Sequence, residues 1–238
     1  MKRIVLVTIF ILLCNLFSQI DPDPSRFYSG NNGDEVFIEN FLRWDQKNTY
    51  VENGILFLGS SSIRKWPTSS YFNDLLIINR GFGGSHISDV NYYFNSIAVH
   101  YKPRIIVLYA GDNDIAGRKT PEQVLEDYID FVNLVRKHLP QTKIIYLPIK
   151  PSPSRWSMWK DMKQANRLIK LYTDSDDMQY YADTATPMLN SQGKPLGDLF
   201  AADSLHLSKK GYDLWSEILK PILDSLTMID RIKVLGWR

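Results

Sequence analysis

An α/β protein is the fold class this sequence predicts, a three-layer α/β/α sandwich with a flavodoxin-like parallel sheet of about five strands. Two observations lead there. Short runs dense in Ile, Leu, Val and Tyr, without strict alternation, recur at residues 55–58, 75–78, 105–109, 144–147 and 178–182. That is the pattern of parallel strands buried on both faces. Longer stretches of helical periodicity lie between them, and strands that alternate with helices imply a parallel sheet between helix layers. A chain of 238 residues, 44% hydrophobic and 23% charged, suits one domain with a sizeable core.

The chain opens outside that pattern. Met1-Lys2-Arg3 is basic, residues 4–17 are almost wholly apolar, and Ser18-Gln19 leads into Asp21-Pro22-Asp23-Pro24. This is the layout of a cleavable secretory signal peptide over residues 1–19. The apolar run is shorter than the ~20 residues of a spanning helix, so no stable membrane span is expected after cleavage. An uncleaved anchor is the alternative, and bulky Leu13 speaks against lipid attachment at Cys14. The expected location is secreted or periplasmic. Lys and Arg number 28 against 26 Asp and Glu, and losing Lys2 and Arg3 with the leader equalises the two. No basic patch then argues for nucleic acid. Cys14 is the only cysteine, so a processed chain would hold neither a disulfide nor a thiolate metal site.

Residues 20–36, rich in Pro, Ser, Gly and Asn, read as an N-terminal loop. The main domain is expected over 37–229, with 230–238 as a tail. Phe37, Ile38, Phe41, Leu42 and Trp44 give its first segment an amphipathic helical spacing. Residues 87–98, 121–138 and 156–172 read as helices between the strand runs. Thr120 before Pro121 is an N-cap followed by proline at the first helical position. Ser208 is placed to cap a last helix carrying Tyr212, Leu214, Trp215, Ile218, Leu219 and Ile222.

Active sites in such folds lie at the carboxyl ends of the strands, which draws attention to four blocks. Gly59-Ser60-Ser61-Ser62 ends the first strand run and offers a nucleophile, a turn, or a phosphate cradle. Gly81-Phe82-Gly83-Gly84 after the second permits close backbone approach and a free N–H, or is simply a flexible turn. Gly111-Asp112-Asn113-Asp114 after the third offers an amide donor, a cation site or an Asx turn. Asp203-Ser204-Leu205-His206 places a carboxylate where a short turn brings it to one imidazole nitrogen, leaving the other to take a proton. His206 as a structural polar residue is the alternative.

Taken in order, the blocks resemble those of the SGNH (GDSL-type) hydrolase superfamily of esterases and acylhydrolases, over roughly residues 37–226. The resemblance implies Ser61 as nucleophile, His206 as base and Asp203 as its orienter. It implies an oxyanion hole from the N–H groups of Ser61 and Gly84 and the amide of Asn113. Ser60 departs from the family, which commonly has Asp there. The implied chemistry is carboxylic ester hydrolysis through an acyl-enzyme on Ser61, with no cofactor and no metal. Asp112 and Asp114 are then loop organisers. The expected substrate is a small-molecule or glycan ester, above all a short acyl group such as acetyl on carbohydrate. A lysophospholipase, a thioesterase, or a non-catalytic glycan- or lipid-binding module are the alternatives. Trp66, Phe82, Trp156 and Trp159 are candidates to stack on a sugar or line an acyl pocket. Arg64, Arg80, Lys150 and Arg155 are candidates to meet an anionic group, with a solvated surface role as the default.

Overall fold

Five parallel strands form the centre of the molecule, in the order β2-β1-β3-β4-β5. They are β1 (Ile55–Gly59), β2 (Ile77–Gly81), β3 (Ile105–Tyr109), β4 (Lys143–Tyr146) and β5 (Gln179–Tyr181). The computed structural model describes residues 21–30, 36–50 and 52–234; the expected signal peptide at 1–19 lies outside the described residues. Among the described residues no helix is long and apolar enough to cross a membrane.

The eight α-helices of the described chain are α1 (Ile38–Lys47), α2 (Ser61–Arg64), α3 (Thr68–Tyr71), α4 (Ile87–Ile97), α5 (Asp112–Ala116), α6 (Pro121–His138), α7 (Trp159–Thr173) and α8 (Lys209–Val234). The alternation of side chains along each strand sorts the core into two layers. Leu56, Leu58, Ile106, Leu108, Ile144 and Tyr146 face α1, α4, α6 and α7. Ile55, Phe57, Ile105, Val107 and Ile145 face α8 and the residues around α2 and α3. The central strands β1 and β3 are buried at every position, which is why their sequences show no polar alternation.

Helix starts follow the expected chemistry. Thr120 Oγ1 accepts from Gln123 N at 3.2 Å while Gln123 Oε1 accepts from Thr120 N at 2.8 Å, a reciprocal capping box ahead of Pro121. Ser208 Oγ accepts from Gly211 N at 3.3 Å at the start of α8.

The structure moves several expected boundaries. The second strand is Ile77–Gly81 rather than 75–78: Leu76 is exposed, and Asn79 and Arg80 join the strand because their polar ends find partners. Asn79 Nδ2 donates to Ile63 O at 2.7 Å, and Arg80 pairs with Asp45 at 2.6 Å. The expected helix at 156–172 begins instead in a 3₁₀ turn, Pro153–Met158, within which Arg155 is non-helical, and continues as α7. Helix α8 runs on to Val234, into the stretch read as a tail.

The loop after the expected leader is docked rather than free. Arg26 pairs with Asp89 at 2.6 Å, Asp21 pairs with Lys119, and Tyr93 Oη donates to Pro24 O at 2.8 Å. Phe27 packs edge-on against Phe82, which lays this segment beside the Gly84 turn.

Candidate active site

The chain steps from β1 outward to β2, then back across β1 to β3. The reversal of direction leaves a crevice at the carboxyl ends of β1 and β3. Ser61 follows β1 and Asn113 follows β3, so both flank that crevice. Gly59 makes the turn from β1 possible. Its φ is +130°, and a Cβ there would drive into the Tyr109 carbonyl on the paired strand. Ser60 N donates to that same carbonyl at 3.0 Å, and Ser61 becomes the first residue of α2.

Across 145 residues of sequence, His206 Nε2 lies 2.9 Å from Ser61 Oγ. Its Nδ1 lies 2.5 Å from Asp203 Oδ2. The other carboxylate oxygen, Oδ1, accepts from the backbone N–H groups of Leu205 and His206, each at 2.9 Å. Ser204 takes a positive φ of 56° to close this turn. The hydrogen bond from His206, with the two backbone donors, holds the Asp203 carboxyl well below the ordinary carboxylate range. Ala201 N donates to His206 O at 2.8 Å and Ser154 N to Ser204 O at 3.0 Å, so the loop is anchored on two sides.

Gly84 sits in the turn after β2 with φ +78°. Among the described residues no hydrogen bond occupies its N–H or that of Ser61. Asn113 Nδ2 donates one hydrogen to Ser85 O at 3.1 Å, lacing the glycine turn to α5. An amide nitrogen carries two hydrogens, so the second is left for another acceptor. The Asn113 Oδ1 accepts from Arg155 Nη2 at 3.0 Å. The structure thus brings Ser61, His206 and Asp203 into one hydrogen-bonded line, with Gly84 and Asn113 on the neighbouring strand ends.

The two aspartates of the third block have different tasks. Asp112 is buried against Lys150 Nζ and Arg155 Nη1, each at 3.0 Å. Burial opposes its ionisation, but those two charges outweigh the burial and keep its carboxyl below the ordinary value. Asp114 Oδ1 accepts from Ile87 N at 3.0 Å with Lys119 Nζ 3.7 Å away, and burial pushes its carboxyl up to about 7. Among the described residues no group of three or more His, Cys, Asp and Glu side chains is arranged to hold a metal ion.

The candidate substrate residues divide. Trp66 and Phe82 are core residues, with no ring face open to a sugar. Arg80 is committed to Asp45 and Tyr101, and Lys150 is buried rather than solvated. Trp156 and Trp159 remain half-buried and stack on each other at 6.0 Å, with Lys194 Nζ 5.1 Å from the Trp156 ring centre. Sequence reasoning missed the joining of Asp112, Lys150 and Arg155 into one group behind Asn113. Their separation in the chain, about 40 residues, carries no local signal.

The sequence profile of the GDSL-like lipase/acylhydrolase family matches residues 61–214. Platelet-activating factor acetylhydrolase IB subunit alpha2 of Bos taurus is 29% identical over 203 residues, covering 78% of this chain and 84% of that protein. A GDSL-like lipase from Bacteroides thetaiotaomicron superposes with a TM-score of 0.68 at 18% identity, over 79% of this chain and 97% of its own. A carbohydrate esterase of family 3 from Talaromyces cellulolyticus superposes at 0.61 and 18% identity, over 74% of this chain and 97% of its own. At such identities the two structures speak for the fold.

Proposed function

The chain belongs to the GDSL-like lipase/acylhydrolase family, as a serine hydrolase of the SGNH type, and we propose that it removes short acyl groups, acetyl above all, from carbohydrate or similar small polar alcohols. In this reading His206 Nε2 takes the proton of Ser61 as Oγ attacks the ester carbonyl. Asp203 holds the imidazole in the tautomer that leaves Nε2 free and stabilises the imidazolium that forms. The oxyanion is received by the N–H groups of Ser61 and Gly84 and the free hydrogen of the Asn113 amide. The imidazolium returns its proton to the departing alcohol. Water then attacks the acyl-enzyme by the same route.

The linear contact from Asp203 through His206 to Ser61 carries the assignment of roles. Exposure supports the short acyl group. The Asp203 side chain is 49% exposed and that of His206 20%, so the site is shallow. A shallow site suits a small acyl end and leaves the larger alcohol outside. The Trp156–Trp159 pair, where the neighbouring 3₁₀ turn passes into α7, offers a ring face to a sugar. The carbohydrate esterase fold relative and the acetylhydrolase relative are both consistent with acetyl release. The leader-like sequence at residues 1–19 supports secretion or periplasmic export.

The test is the rate on p-nitrophenyl acetate against the octanoate, followed by acetate release from an acetylated sugar. A preference for acetate, with release from the sugar, supports this reading. A preference for octanoate moves the assignment to a lysophospholipase or thioesterase.

A further inference from the structure

We propose that Arg155 is a positioning residue for the oxyanion hole, which sets the direction in which the Asn113 amide faces. The proposal rests on the reading of Asn113 as an oxyanion donor, and it concerns a residue that touches no reacting atom.

A terminal amide has two nearly isosteric faces, one oxygen and one NH₂. Only the NH₂ can donate to an oxyanion, so the amide must be held in one of two orientations. Arg155 Nη2 donates to Asn113 Oδ1 at 3.0 Å. If the amide flipped, its NH₂ would face the guanidinium N–H, donor against donor. The Ser85 carbonyl, which accepts from Nδ2 at 3.1 Å, would at the same time face an oxygen. Two neighbours of opposite polarity therefore select the same orientation. That orientation leaves the second Nδ2 hydrogen unused within the protein. The positive guanidinium beside the amide oxygen also polarises the amide, which makes that hydrogen a better donor.

The guanidinium is itself held. Its Nη1 lies 3.0 Å from Asp112 Oδ2, and the same oxygen lies 3.0 Å from Lys150 Nζ. Lys150 also donates at 2.9 Å to the Oη of buried Tyr109, the last residue of β3. The planar fork directs Nη1 at the carboxylate and Nη2 at the amide in one fixed geometry. The backbone around Arg155 points to the same purpose. Arg155 adopts φ −114° and ψ 18°, out of line with the turn that carries it. The adjacent Ser154 N–H donates to Ser204 O, in the loop between Asp203 and His206. One short turn thus braces the oxyanion amide with a side chain and the Asp203–His206 loop with its backbone.

The test compares the wild type with R155A, R155K, N113A and the double variant R155A/N113A, on p-nitrophenyl acetate. Removing a full oxyanion donor lowers kcat by about 10²–10³, so misorienting it in R155A is expected to lower kcat by about 10–100-fold with KM held within about twofold. The double variant is expected to match N113A, because Arg155 acts only through that amide. Low millimolar guanidinium is expected to restore part of kcat in R155A and none in the double variant. R155K is expected to fall between R155A and the wild type, and it serves as the measurement should R155A fail to fold. Wild-type kcat in R155A, or losses that multiply in the double variant, overturn the proposal. The side-chain amide resonances of Asn113 give a readout independent of turnover. They are expected to broaden or double in the Arg155 variants, and unchanged resonances overturn the proposal. A wild-type enzyme inert to every ester would instead overturn the esterase reading, with the resonances still deciding the role of Arg155.

Discussion

Replacing Lys150 by Met tests the charged group that underlies Asn113. The Lys150 side chain is 1% exposed and that of Asp112 5%, so the pair is withdrawn from water almost completely. Burial lowers the Lys150 pKa, and Asp112 partly offsets it. Removing one partner of a buried pair costs about 3–5 kcal/mol, because the other charge is left behind. Asp112 keeps Arg155 at 3.0 Å, and Met fills much of the vacated volume, so the expected loss lies near the lower end, about 3 kcal/mol. For a domain of this size about 2–4 °C of Tm is lost per kcal/mol, hence about 6–12 °C. The pH dependence has a definite sign. Without the lysine, the folded-state pKa of Asp112 rises toward or above its unfolded value. The added penalty then grows as pH rises from the wild-type folded pKa of Asp112 to the raised one, so the variant loses more at pH 7 than at pH 3. Urea unfolding followed by tryptophan fluorescence measures it. K150M/D112N is expected to be less stable than K150M, since it leaves the Arg155 guanidinium without its carboxylate. A loss below about 1 kcal/mol, the value of a surface ion pair, would refute the reasoning.

Two further outcomes follow from the geometry. Asp203→Asn keeps the shape of the turn but turns a donor toward His206 Nδ1 or alters its tautomer. Steady-state kinetics should show kcat reduced by about 10⁴ with the fold intact by circular dichroism. Asp114→Asn removes a buried carboxyl whose folded pKa, about 7, lies above its ordinary value of 3.8. A raised folded pKa means that stability is progressively lost as pH rises between those values. The Tm of D114N relative to the wild type should therefore climb from pH 5 to pH 8, and a flat difference would contradict the assignment.

How far the sequence revealed this arrangement depended on how local each signal was. Strand β3 coincides with its apolar run because β3 is central and buried on both faces. Strand β2 lies at the sheet edge with mostly half-buried positions, so its polar Asn79 and Arg80 hid its true end. The Asp203–His206 contact spans three residues and follows from a short turn. The contact of His206 with Ser61 spans 145, and only the family resemblance joined the two in advance. Arg155 was weighed as a residue for an anionic group. Its partners proved to be Asp112 and Asn113, which it meets from the 3₁₀ turn Pro153–Met158 ahead of α7. The N-terminal loop was legible by composition, while its docking through Arg26, Phe27 and Asp21 depends on partners more than 50 residues away.

The central claim is that His206 activates Ser61 as a nucleophile. A fluorophosphonate probe followed by peptide mapping tests it most directly. A single adduct on Ser61 is expected, formed by the wild type and lost in His206→Ala while that variant stays folded. An adduct on another residue, or labelling of Ser61 undiminished without His206, would contradict it.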